Sequence, residues 1–388
     1  MNILLALHYD LGPNAGAAGS TYNLGHYYRK LGHQVYFYST SDQPRRMISG
    51  KLRRATFSIF LARHISSLLA KVPIDVIDAS TGDAWIWGQF LRKQNSQHPL
   101  LVTRSHGLEH LEHMARLDEV KKGNLKLSWK YPLYYGGFKL WEEAASFRCA
   151  DLAFALNQEE ANYITNGFGL DRAQVYVFPN GIPESFLNRP FSPLPTEESV
   201  PIRIAQIGTY IARKGIQYAK PAINHILKRH PNVEFTFLGT QCPECPTAEQ
   251  VYQDFEPDLH ERIRVIPRYD HDQLPELLEG HHIKLFPTIS EGFGKALIEA
   301  MACGLAPVTS AASGPLEIVK DGHDGLVVPI ADSQAIEQAL EKLICDRTFL
   351  EQLRKNAYLS AQEYSWEKIA RRRTEAYEKA LATTTAGS

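Results

Sequence analysis

Two glutamates, Glu291 and Glu299, bracket a glycine-flanked aromatic and an apolar helical run in Glu291-Gly292-Phe293-Gly294-Lys295-Ala296-Leu297-Ile298-Glu299-Ala300-Met301-Ala302-Cys303-Gly304. The apolar run 282–286 before them reads as a buried strand. Gly292 and Gly294 permit a tight loop, good helix formers follow, and Gly304 can end the helix. The chain therefore passes from a strand into a helix N-terminus, where free N–H groups and a positive partial charge make an anion site. Glu291 falls in the loop and Glu299 more than one turn into the helix. With a diphosphate seated between them, one carboxylate could meet a sugar and the other a ribose.

Other loops carry compatible chemistry. In Gly208-Thr209-Tyr210-Ile211-Ala212-Arg213-Lys214-Gly215, a strand-to-helix loop presents adjacent cations, Arg213 and Lys214, suited to a diphosphate. His106, in Arg104-Ser105-His106-Gly107, follows a strand. A lone histidine there is usually structural, yet ligand groups collect at the carboxyl ends of open α/β sheets. Small residues at 13–20, Gly16 among them, let backbone approach a ligand, but form neither Gly-x-Gly-x-x-Gly nor a P-loop. Asp270-His271-Asp272 could hold Mg²⁺, but it directly precedes a helical pattern, so capping by an aspartate is the simpler reading. Arg268 and Tyr269 follow a strand and could border a nucleobase.

The elements that must position these residues alternate along the chain. Strands are expected at 3–7, 34–38, 76–78, 100–103, 152–155 and 175–178, then at 203–207, 234–238, 264–266, 283–286, 306–309 and 326–328. Helical patterns lie between them, including 20–31, 55–70 and 333–344, with a last helix from 366 to about 381. This alternation predicts an α/β chain with two Rossmann-like doubly wound domains, each a parallel sheet covered on both faces. Domains are expected at 1–190 and 201–369, with a proline-rich linker at 191–200 and a disordered tail from Thr383.

At 388 residues the chain exceeds one ordinary core, and its formal net charge of −1 gives no overall field toward nucleic acid. No apolar run spans a bilayer, and the first residues enter a strand without a basic leader, which points to the cytoplasm. Five cysteines suit a reducing compartment, and Cys242-x-x-Cys245 lacks a second pair for zinc. Two stretches combine basic and aromatic residues. From Gln43 to Ile74 there is no acidic side chain before Asp75, while Arg45, Arg46, Lys51, Arg53, Arg54, Arg63 and Lys71 accompany an apolar stripe. Residues 121–141 interleave lysines with Trp129, Tyr131, Tyr134, Tyr135 and Trp141. Solvated helices on a core are the commoner meaning; peripheral contact with an anionic membrane is the other.

The block Glu-Gly-Phe-Gly followed by Glu-Ala-Met-Ala-Cys-Gly resembles the signature of retaining nucleotide-sugar glycosyltransferases of the GT-B fold, glycosyltransferase family 4. The resemblance runs from Ile3 to about Tyr377 and implies two domains facing a cleft, with a final helix at about 370–382 packing back on the first. It implies a hexosyl donor carried on a nucleoside diphosphate and an acceptor hydroxyl on a glycan, a glycolipid or a small molecule. Implied donor contacts are Gly16, Arg213, Lys214, Glu291, Gly292, Phe293, Gly294, Lys295 and Glu299, with Glu291, His106 and Lys214 nearest the chemistry. Lys214 matches the lysine of the family's phosphate clamp, whereas Thr209 stands at the usual arginine position. Ala15 replaces the first glycine of the family's pair and Gly16 matches the second. With cations and a helix end for the phosphates, no metal or other cofactor is expected. A phosphorylase, hydrolase or epimerase on the same scaffold, or a non-catalytic nucleotide-sugar binder, remains open. A nicotinamide dehydrogenase is disfavoured by the missing glycine fingerprint.

Overall fold

The computed structural model describes residues 1–12, 16–44, 50–95, 97–123, 125–195, 197 and 199–386. Residues 13–15, Arg45, Arg46, the Lys51 side chain and 387–388 lie outside that description. The chain forms two compact units, one of Met1–Gly181 with Trp366–Ser388, the other Ile182–Ser365.

In the first unit six strands, β1 (Asn2–Leu7), β2 (Gln34–Ser39), β3 (Val76–Ser80), β4 (Leu100–Arg104), β5 (Leu152–Ala155) and β6 (Val175–Val177), pair in the order β2-β1-β3-β4-β5-β6. Every pairing is parallel, with Ile3 opposite Val35 and Val76. A parallel strand covered on both faces must be apolar on both. In β1, Ile3 and Leu5 enter one core, while Leu4 and Ala6 enter the other. The helix Phe57–Leu69 covers the second face with Phe57, Leu61 and Ile65, so the apolar stripe of that basic stretch serves the core. The last helix, Trp366–Ala386, covers the first face with Trp366, Ile369, Ala370 and Tyr377. It continues through the expected tail, and the Thr383 hydroxyl donates to the Ala380 carbonyl at 2.7 Å.

The second unit holds β7 (Ile202–Ile207), β8 (Val233–Leu238), β9 (Ile263–Ile266), β10 (Ile283–Phe286), β11 (Ala306–Ser310) and β12 (Leu326–Val328), in the order β12-β11-β10-β7-β8-β9. Numbered from its own first strand this is the dinucleotide-binding order, and strand order reverses between β7 and β10. Ile204, Ile283 and Leu285 face one core with the helices Ile216–Arg229 and Ser333–Cys345. Residues 191–200, which composition marks as a linker, lie inside this unit. Leu194 enters its core, and Arg354 donates to the Ser192 carbonyl at 2.9 Å. Apolar periodicity cannot register a segment held by one leucine and its carbonyls.

Candidate active site

The motif loops follow β7 and β10, so they meet at the switch point of the second unit's sheet, where such folds bind ligands. The loops are tied by backbone. The Ile289 N–H donates to the Arg213 carbonyl at 2.9 Å, and the Thr288 hydroxyl donates to the same carbonyl at 3.2 Å. Gly215 has φ +72°, and a Cβ there would lie 1.8 Å from the Pro287 carbonyl oxygen. Only glycine permits both the left-handed turn and this approach.

Gly294, at φ +101° and ψ 52°, is the N-cap of the helix Lys295–Ala302. Its side-chain-free position starts the helix beneath the loop, and Phe293, 3% exposed, anchors that loop. Gly314 N–H donates to the Glu291 carbonyl at 3.0 Å, fixing Glu291 from the far side. Lys214 Nζ lies 2.5 Å from Glu291 Oε2, and an Arg213 guanidinium nitrogen 3.7 Å from the same oxygen. Arg213 also donates to the Ser290 carbonyl at 3.1 Å. Burial alone would raise the Glu291 pKa, but the charges of Lys214 and Arg213 outweigh it and hold the carboxyl below its usual value.

Glu299 is 4% exposed, and its Oε1 lies 2.9 Å from His271 Nε2. His271 is the middle residue of the Asp-His-Asp triplet. Asp270 does sit at the N-cap of the turn His271–Gln273, but its side chain makes no capping bond. The triplet thus contributes its histidine to the site, which corrects the capping reading. Lys284, on β10, is fully buried close to both Lys214 and Glu299. The sequence offered a signal for it, a lysine inside the central strand Ile283–Phe286, whereas His271 stood out only as the middle of a triplet read for its aspartates.

The second unit therefore brings together Arg213, Lys214, Glu291, Gly292, Phe293, Gly294, Lys295 and Glu299. Gly16 and His106 belong to the first unit, at the start of the helix Gly16–Lys30 and just beyond β4. In that unit the strand order reverses between β1 and β3, and there His8 Nδ1 lies 2.8 Å from Asp83 Oδ1. This pair was not singled out from sequence, because its members are 75 residues apart. Nearby, burial first and then the charges of Glu112 and Glu143 raise the Glu109 pKa to about 6.

Among the described residues one group of three metal-capable side chains stands close together, His230, Glu341 and Cys345. His230 and Cys345 of this group line a cavity of 580 Å³ with Ile202 and Val233, at the amino-terminal ends of β7 and β8 and so at the opposite end of the strands from the motif loops. Arg229 already pairs with Glu341 at 3.1 Å.

Two sequence families match the chain in tandem. Glycosyltransferase Family 4 matches residues 15–186 and Glycosyl transferases group 1 matches residues 194–360. The chain has the GT-B fold of its solved relatives, and its two halves match these two glycosyltransferase families. Among its relatives, the gpi3 subunit of phosphatidylinositol N-acetylglucosaminyltransferase from Schizosaccharomyces pombe is 28% identical, over 51% of this chain and 42% of that protein. The chain spans 41% to 46% of the length of this and two further relatives of the same name from Arabidopsis thaliana and Homo sapiens. Among solved structures, sucrose-phosphate synthase from Thermosynechococcus elongatus has a TM-score of 0.76 at 21% identity, covering 98% of this chain and 99% of that one. Anabaena HepE in complex with UDP-glucose has a TM-score of 0.67 at 16% identity, covering 100% of both chains.

Proposed function

We propose that the protein transfers a hexosyl group, with retention of anomeric configuration, from a nucleoside-diphosphate sugar to a hydroxyl of a glycan, glycolipid or small molecule. The observation that carries this reading is the convergence of Lys214, Arg213, Glu291, Glu299 and the Gly294-initiated helix at the switch point of one Rossmann-like sheet. The barrier in such a transfer is departure of a diphosphate with growing negative charge, and preorganised donors answer it best. Lys214, Arg213 and the N–H groups after Gly294 hold the phosphates in this reading. Glu299 accepts from the ribose hydroxyls, exchanging His271 for them. Glu291 orients the sugar hydroxyls, and its charge favours an oxocarbenium-like centre. His106 and Gly16 serve the donor from the first unit. The acceptor hydroxyl attacks from the leaving-group face, by analogy with the family.

The first unit is read as the acceptor domain, since His8 and Asp83 meet at its own switch point. Its surface further supports a lipid-linked acceptor and a station on the inner face of a membrane. Trp129 is 78% exposed, Leu133 70% and Tyr135 55%, among Lys122, Lys126 and Lys130. Aromatic rings beside lysines suit an interface of anionic lipid. No helix among the described residues is long and apolar enough to cross a membrane.

The test is a panel of nucleotide sugars, chosen by thermal shift, incubated with candidate acceptors and read by NMR of the product. A new α- or β-linkage matching the donor's configuration supports the proposal. Free sugar alone, or phosphate-dependent cleavage, would place the chain with hydrolases or phosphorylases. Tight donor binding without turnover on any acceptor would mark a binding protein.

A further inference from the structure

We infer that Lys284 couples donor binding to proton uptake: its amine is neutral and unpaired in the free protein and becomes an ammonium when a nucleoside diphosphate occupies the Lys214–Glu299 site. This rests on the donor-site reading above and goes beyond it.

Lys284 is 0% exposed, and its Nζ has no hydrogen-bond partner among the described residues. A buried polar group without a partner is rare and asks for an explanation. The strand fixes its direction. Ile283 and Leu285 enter the core on one face of β10, so Lys284 and Phe286 project from the other. On that face the Phe286 ring lies 5.3 Å from Lys284 Nζ and 5.3 Å from Lys214 Nζ, so two lysines share one ring. The same ring would lie 3.3 Å from a Cβ at Gly294, which puts this layer directly under the helix N-terminus.

Two charged groups face the amine: Lys214, from the loop after β7, and Glu299, from the helix Lys295–Ala302 and itself bonded to His271. The register neighbours on the adjacent strands, Ala205 and Pro307, bring no charge. Burial first, then the charge of Lys214, lowers the Lys284 pKa well below the usual lysine value, and Glu299 only partly offsets them.

A diphosphate adds negative charge where Lys214 now adds positive. In a dry layer that charge is little screened. The lone pair of Nζ then takes a proton from solvent, an N–H bond forms, and the proton returns when the nucleotide leaves.

The experiment is calorimetric titration of the full chain with UDP and with ADP, in phosphate and in Tris, at about pH 8, where free histidines and the nucleotide phosphates have lost their protons. The wild-type protein should take up between about half and one proton per nucleotide bound, and Kd should weaken by up to about tenfold per pH unit from pH 7 to 9. Lys284→Met should bind without uptake, whereas His271→Gln should retain it. Measurable binding with no uptake by the wild type overturns the inference, as does equal uptake by Lys284→Met. Absence of binding by every nucleoside diphosphate would instead overturn the donor-site reading, and the inference with it. The wild-type measurement stands even if the Met variant misfolds.

Discussion

Lys214 and Glu291 close on each other across the loop that a diphosphate would enter, and Glu299 is occupied by His271. Both contacts are with groups the donor would replace, so the free site satisfies its charges internally. A donor seated as proposed must therefore win by supplying better partners for these charges. Glu299→Ala should weaken nucleotide-sugar binding by about 1.5–3 kcal/mol, the worth of a charge-assisted hydrogen bond. Lys214→Ala should chiefly lower kcat, because its interaction grows with charge on the leaving diphosphate. Steady-state kinetics of the two purified variants check this, and wild-type constants in both would remove these residues from the reaction. The placement of the two glutamates, one in the loop and one on the following helix, could be set out from spacing alone, since local geometry separates them. Lys284 and His271 were not assigned, because their neighbours come from other parts of the chain.

At the level of elements, two glycines decide where the motif loops run. Gly215→Ala would drive a Cβ into the Pro287 carbonyl and force a left-handed residue to carry a side chain. The loop must then move, at about 1–3 kcal/mol of strain, and UDP or ADP affinity should fall more than about tenfold. Calorimetry beside a thermal melt separates loop displacement from general unfolding; unchanged affinity would show that the Gly215 approach does not set the clamp. The entry to β10 should be acid-sensitive for a separate reason. His281 Nε2 bonds the Thr236 hydroxyl at 2.9 Å, and the Arg203 N–H donates to His282 Nδ1 at 3.1 Å, which requires an unprotonated nitrogen there. Burial lowers the pKa of His281 to about 4 and that of His282 to about 3. A depressed folded-state pKa means the unfolded chain binds the proton first. The contribution of these histidines is thus whole above about pH 6.5 and drains away as pH falls toward 4, at about 1.4 kcal/mol per unit for each. Melting temperature against pH should show this slope, and His282→Asn, which keeps an acceptor, should reduce it; an unaltered slope would assign acid lability elsewhere.

For the molecule as a whole, chain order and structural membership part company at the C-terminus. The helix Trp366–Ala386 completes the first unit: Tyr377 donates to Asp78 Oδ2 at 2.5 Å and shares a 3.0 Å contact with Tyr28, while the Arg373 guanidinium lies 5.3 Å from the Phe154 ring. Residues 182–365 therefore carry their own complete core, whereas 1–181 lack a wall of theirs. The fragment 182–365 should melt cooperatively, and 1–181 should not, since losing Trp366 and Tyr377 together costs more than the roughly 3–5 kcal/mol of one large aromatic. Circular dichroism melts of the two fragments check this, and a cooperative 1–181 would show that the helix is dispensable. At this scale the surface carrying Trp129 and Leu133 also has its test: Trp129→Ala with Leu133→Ser should reduce cosedimentation with phosphatidylglycerol vesicles, and an undiminished bound fraction would send the acceptor search toward water-soluble molecules. The amino-acid sequence by itself determined the alternation of strands and helices, all twelve strands to within two residues, and the loop–helix geometry around Glu291 and Glu299, because each rests on periodicities and backbone preferences that act over a few residues. Only the tertiary structure decided that residues 191–200 belong to the second unit, that His271 meets Glu299, that His8 meets Asp83, and that Lys284 is sealed beneath the helix Lys295–Ala302. Those contacts join positions far apart in the chain, and burial, which sets their charge, is a property of the layers closed around them.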